Sequence, residues 1–220
     1  MRLIAILFIS SMAAALGCNI VKDGNVTGIK GSGNLKNESR NLAGFKKIKA
    51  GGAVKLDVTI QSGFSVSVET DDNLLEHIVT EVKGDTLTIE SRGKISPSDF
   101  INVKVTMPEV TNMDLSGAST GVIADIKTED LKLVVSGASK IQVSGEVKRL
   151  VASVSGASGV DAEGLRTENA DVDASGASNA TVNAVNIADL TASGASSVYY
   201  VGDPKNLTQN SSGVSSIKKK

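Results

Sequence analysis

At 220 residues the chain is one domain of ordinary size or at most two small ones, and 23 Lys and Arg against 24 Asp and Glu leave too little field to steer it toward nucleic acid or an anionic membrane surface. Aromatics are 3%, with no Trp, which argues against a base-stacking platform or an aromatic-lined sugar cleft. A single Cys and a single His argue against a disulfide framework, a multi-cysteine metal site and a His-based catalytic dyad, so no cofactor is expected.

The chain opens with Met1-Arg2-Leu3-Ile4-Ala5-Ile6-Leu7-Phe8-Ile9 and runs on through small and apolar residues to Gly17. One positive charge, a short apolar run and a small-residue end are the parts of a secretory signal peptide, here residues 1–17. Ala15-Leu16-Gly17-Cys18 resembles the bacterial lipobox, in which the Cys is acylated and becomes the first mature residue; Ala15 stands where that motif usually carries Leu. The chain's only Cys falls at this spot, so Cys18 is the expected lipid-attachment residue and the membrane the first expected partner. Two or three acyl chains anchor firmly, because each buried methylene contributes roughly 0.8 kcal/mol. Asn19, rather than Asp, after the Cys favours the outer membrane. Residues 18–41 are polar and Gly-rich without clear periodicity and read as a tether whose final part docks on the domain.

The domain itself is expected over residues 42–220, with irregular coils in 42–110 and regular ones in 111–217. In the first part Val54, Leu56, Val58 and Ile60 alternate with polar residues, as do Phe64, Val66 and Val68, then Leu87 and Ile89, then Ile101, Val103 and Val105. Period two means strands with one buried face. Asp71-Asp72-Asn73-Leu74-Leu75-Glu76-His77-Ile78 predicts a short helical turn opened by an Asp or Asn cap, with His77 at the surface or an edge.

From residue 116 a repeat takes over. Ser-Gly-Ala-Ser begins at Ser116, Ser136, Ser155, Ser175 and Ser193, and Ser212-Gly213-Val214-Ser215 is a relaxed sixth copy, at intervals of 20, 19, 20, 18 and 19 residues. Apolar residues alternate before each copy (Leu131, Leu133, Val135) and after it (Ile141, Val143). Such a unit cannot bury its own face, but units stacked in parallel bury a continuous core. The expected fold is therefore all-β, a parallel β-helix (β-solenoid) with coils of 18–20 residues. Gly51-Gly52-Ala53-Val54 has the layout of a degenerate first corner, and Gly145, Gly164 and Gly202 are available for a second bend. In the corner, Gly permits the bend and Ala118, Ala138, Ala157, Ala177 and Ala195 are expected to stack inward. The Ser residues, with no His, Lys or Asp at a fixed partner position, read as a corner ladder rather than nucleophiles. Tyr199 and Tyr200 should face opposite ways, with the inner one filling the last complete coil, and Lys218-Lys219-Lys220 reads as a solvated end that discourages edge pairing.

Gly31-Ser32-Gly33-Asn34, Glu38-Ser39-Arg40-Asn41-Leu42-Ala43-Gly44-Phe45-Lys46-Lys47-Ile48, Gly51-Gly52-Ala53-Val54, Val68-Glu69-Thr70-Asp71-Asp72-Asn73-Leu74-Leu75 and the recurrent Ser-Gly-Ala-Ser corners together resemble the head GIN domain family, over about residues 31–217. The resemblance implies a β-helical fold in a secreted or lipid-anchored bacterial envelope protein. The family carries an autotransporter adhesin-head label. This sequence departs from it, because even the smallest outer-membrane barrel needs about eight strands and no residues remain for one. No catalytic positions come with the resemblance.

Solenoid stacking sets outward residues in ladders. Four positions before each repeat the ladder reads Asn112, Lys132, Val151, Asp171, Asp189 and Thr208; two positions before, it reads Asp114, Val134, Ser153, Asp173, Thr191 and Asn210. These mixed polar faces suit a glycan or protein ligand. Asp171, Asp173 and Asp189 come together in this register, and clustered carboxylates can serve glycoside cleavage or hold Ca²⁺. However, β-helix lyases set basic residues over their acids, and the nearest candidates, Arg166 and Lys205, have no evident pairing. The expected function is a non-enzymatic, adhesin-like recognition module of an outer-membrane lipoprotein, on the cell surface or the periplasmic face. A periplasmic scaffold is the second reading and a polysaccharide-active enzyme the third.

Overall fold

The computed structural model describes residues 28–220; the signal peptide, Cys18 and the first part of the tether lie outside the described residues. From Asn112 onward the chain winds as a parallel solenoid. Strands Thr120–Val135, Lys140–Val154, Gly159–Ala174 and Asn179–Ala192 pair in parallel, each with the next. Ser197–Val201, Asn206–Ser211 and Ser216–Lys219 continue the stack. The register joins Asn112, Lys132, Val151, Asp171, Asp189 and Thr208 in one ladder, and Asp114, Val134, Ser153, Asp173, Thr191 and Asn210 in another, as the repeat spacing requires.

Alternation puts every second side chain inside. Leu131, Leu133, Val135, Leu150, Ala152, Val154, Ala170, Val172 and Ala174 are all at most 2% exposed. The core changes character along its axis. Phe45, Ile48, Leu56, Met107 and Met113 fill the first coils, whereas Ala174, Ala180, Ala184, Ala188 and Ala192 fill the later ones. A buried Leu or Phe contributes about 1.5–3 kcal/mol and an Ala far less, so the later coils lean more on their backbone ladders. Opposite the corner, register shifts at Ile123/Ile126 and Gln142/Gly145 mark the second bend, where Gly145 has φ 126° and a Cβ on it would come 2.2 Å from the Ile126 carbonyl oxygen.

The Ser-Gly-Ala-Ser corner is built the other way round from the sequence expectation. Ala118, Ala138, Ala157, Ala177 and Ala195 are exposed. The inward residue is the second serine: Ser119, Ser139, Ser178 and Ser196 are 0% exposed and Ser158 is 2% exposed. The cause is the corner glycine. With φ near +77° it turns the next N–H along the solenoid axis, so Ala138 N–H donates to the Gly117 carbonyl at 2.7 Å and its Cβ is left outside. The serine then enters the core, and its hydroxyl is satisfied by corner carbonyls: Ser139 Oγ donates to Gly117 O at 3.4 Å and Ser196 Oγ to Ala174 O at 3.0 Å. The Gly52 backbone lies directly beneath Gly117, which makes Gly51-Gly52-Ala53 the first corner of the stack.

The N-terminal end is closed by antiparallel strands. Val54–Ile60 lies parallel to Thr120–Val135 on one side and Ile101–Met107 on the other. Ser65–Asp71 then pairs antiparallel with Ile101–Met107, and Leu35–Arg40 antiparallel with Ser65–Asp71. On the other side Lys47–Ala50 is followed by Thr86–Ser91, and the hairpin partner Ile78–Lys83 forms the margin. Among the described residues strand pairing thus begins at Ile29, and the end of the segment read as tether is integral to the domain. The expected helical turn is a 3-10 turn, Leu75–His77, but its N-cap is Leu74, without a side-chain cap. Asp71 is occupied elsewhere.

Candidate functional site

Asp171, Asp173 and Asp189 are exposed on the face before the corner, with Asp171 and Asp189 direct partners on adjacent coils. A coil spacing of about 4.8 Å sets these two carboxylates side by side. Neither basic candidate sits over them. Arg166 precedes Asp171 by five strand residues, about 17 Å along the chain, and lies in the ladder Lys127, Glu146, Arg166, Asn183 beyond the second bend. Lys205 is exposed, just ahead of Asn206–Ser211. Among the described residues no group of three or more His, Cys, Asp or Glu is arranged to hold a metal ion. The trio is an acidic patch on an open face.

The third side of the coils carries a shallow groove lined by Lys127, Glu129, Glu146, Lys148, Arg166 and Glu168. Its charges alternate from coil to coil, and Lys148 Nζ pairs with Glu129. Such a checkerboard neutralises itself and favours the in-register stack.

A different depression lies on the face after the corner. There the first outward row reads Lys55, Thr120, Lys140, Gly159, Asn179, Ser197 and Ser216, and the second reads Asp57, Val122, Gln142, Asp161, Thr181, Tyr199 and Lys218. Gly159 interrupts the first row, and the dent it leaves is bordered by Lys140, Asp161, Asn179 and Thr181. On the side of the second bend Lys220 forms an ion pair with Glu163. Sequence periodicity missed this place, because an outward Gly in an alternating strand gives no signal of its own. Tyr199 faces outward beside Thr181, while Tyr200 packs against the core, as alternation requires.

Asp71 was also missed. It is 0% exposed, and its carboxylate accepts from Gly33 N–H at 2.7 Å, Ser98 N–H at 2.9 Å and Ser98 Oγ–H at 2.6 Å. The Ser98 hydroxyl above all, with the two backbone donors, holds it below the ordinary aspartate range against the opposing effect of burial. Gly31 lies against it so closely that a Cβ would sit 2.2 Å from Asp71 Oδ2. Asp71 therefore clasps residues 31–33 and the 96–99 loop to the end of the solenoid. His77 Nε2 lies 3.9 Å from Glu76 at the edge of the 3-10 turn. Two of the three terminal lysines are paired, Lys219 with Asp203 and Lys220 with Glu163.

The architecture matches several solved structures. A protein from Bacteroides fragilis described as a "putative adhesin" superposes with a TM-score of 0.67 at 21% identity, covering 88% of this chain and 100% of its own. A "putative adhesin" from Parabacteroides merdae gives 0.57 at 16% identity, over 87% and 98%. A "putative lipid binding protein" from Parabacteroides distasonis gives 0.56 at 19% identity, over 87% and 99%. At these identities the likeness is one of fold. No curated protein sequence matches the chain. Residues 44–204 match the family described as "Putative auto-transporter adhesin, head GIN domain", and the chain belongs to that family.

Proposed function

We propose that this protein is a lipid-anchored envelope protein whose solenoid serves as a non-enzymatic, adhesin-like recognition module, held to the outer membrane through Cys18. The observation that carries the reading is the ladder architecture: coils stacked in fixed register present flat, mixed polar faces on a rigid rod, in a family that bears an adhesin name. The repeated serines support a binding rather than a catalytic role, since Ser119, Ser139, Ser158, Ser178 and Ser196 are buried with their hydroxyls donated to backbone carbonyls. The basic residues a β-helix lyase would need lie away from the Asp171–Asp173–Asp189 patch.

The test compares otherwise identical cells with and without the full-length chain for adhesion to surfaces coated with a mucin glycoprotein or with fibronectin. Stronger adhesion of the producing cells to either surface is expected. Equal adhesion to both would overturn the recognition role and favour a scaffold inside the envelope.

A further inference from the structure

We infer that the dent at Gly159 is a subsite for a neutral saccharide; the inference rests on the recognition reading above and gives it a ligand class. The backbone does not require a glycine at position 159. Gly159 has no left-handed φ, and an added Cβ would meet only Lys140 Cγ, at 3.6 Å, which is ordinary contact. The corner glycines are different: a Cβ on Gly137 would sit 2.5 Å from the Gly117 carbonyl oxygen. A strand-interior glycine gives up packing and adds unfolded-state entropy. Every other coil places a side chain in this row, from Lys55 to Ser216. What the exception creates is space. Lys140 and Asn179 flank it two coil spacings apart, about 9.6 Å between their backbones.

The groups around the space suit hydroxyls. The side chains of Lys140, Asn179 and Thr181 have no hydrogen-bond partner among the described residues, and Asp161 uses one oxygen to accept from Glu163 N–H at 3.2 Å. An amide both donates and accepts, a carboxylate accepts from two directions, and an ammonium donates, so together they can take adjacent hydroxyls of one ring. Lys140 and Asp161 offset each other's charge, which favours a neutral ligand over a charged one. The backbone N–H and C=O groups of this stretch are engaged in ladders with both neighbouring coils, so an extended peptide finds no strand to join here. Tyr199, one coil beyond Thr181 in the same row, offers a ring face at the margin. With one aromatic and an open dent, a single site binds in the millimolar range, and useful attachment comes from many copies on one membrane.

The test titrates full-length protein, in a detergent without sugar groups, with the methyl glycosides of glucose, galactose, mannose and N-acetylglucosamine, read by saturation-transfer NMR. Wild type should bind at least one in the millimolar range. Gly159→Gln, which fills the dent from a backbone any residue can adopt, should weaken that binding at least tenfold with a melting temperature no lower than that of wild type; if it lowers the melting temperature, Asn179→Ala takes its place with the same expected loss of binding. Binding of none of the four, or equal binding by wild type and variant, overturns the subsite. Cells carrying wild type and Gly159→Gln are then compared for adhesion with cells lacking the chain. Adhesion equal in wild type and variant but lost without the chain overturns the saccharide site and leaves recognition standing. Adhesion unchanged without the chain overturns the recognition reading itself.

Discussion

Ser158 Oγ donates to the carbonyl oxygen of Gly137, one coil below, at 3.3 Å, while the preceding Ala157 points its methyl to solvent. The same carbonyl accepts from Ala157 N–H at 2.8 Å, so the hydroxyl is its second donor. Ala157→Leu should therefore be nearly neutral, within about 0.5 kcal/mol. Ser158→Leu forces a larger side chain into a filled corner and should cost about 1–3 kcal/mol. Thermal unfolding of the two variants checks this, and the reverse order would put the alanines back inside.

The glycines divide into two classes. Gly137→Ala combines φ 77° with a Cβ 2.5 Å from the Gly117 carbonyl oxygen and should destabilise by more than about 1 kcal/mol. Gly159→Ala meets neither obstacle and should stabilise by about 0.4–1 kcal/mol. Denaturant midpoints of the two variants measure the difference.

Asp71 ties the N-terminal segment down through its charge. Because folding holds its carboxyl below the ordinary aspartate range, it contributes stability that is fully present above about pH 4 and is lost as pH falls through the lower folded value. Hydrogen bonds to a charged group contribute about 1.5–3 kcal/mol, so Asp71→Asn should cost that much at pH 7, and the gap between variant and wild type should close toward acid. Hydrogen exchange should show residues 31–33 and 96–99 losing protection first in the variant.

On the opposite face, Asp171 and Asp189 are like charges in direct register. Asp189→Asn should raise stability by about 0.2–1 kcal/mol at low ionic strength, and the gain should shrink in salt. A gain that is independent of salt would mean that charge is not its cause.

The repeat made most of this architecture legible. Fixed intervals between the Ser-Gly-Ala-Ser copies set the coil length, and period-two alternation set inside from outside, so Lys132, Val151 and Asp171 could be aligned from spacing alone. The corner was misread because alternation breaks there. One left-handed glycine inserts an extra outward residue, and Ala and Ser differ too little in size for composition to tell which of them turns in. The antiparallel closure was hidden for a related reason: strand periodicity is the same for either direction of pairing. Asp71 depends on partners 38 and 27 residues away, which no local pattern reveals. Gly159 shows only against the completed row.

Protease shaving of intact cells that make the full-length chain, with Cys18→Ala as comparison, tests the envelope account most directly. Wild-type protein should stay with the membrane and be cut away from the outside of intact cells, and the variant should no longer be membrane-held. Protein that resists the protease until the outer membrane is opened would contradict surface display, and a Cys18→Ala protein still held by the membrane would contradict the lipid anchor.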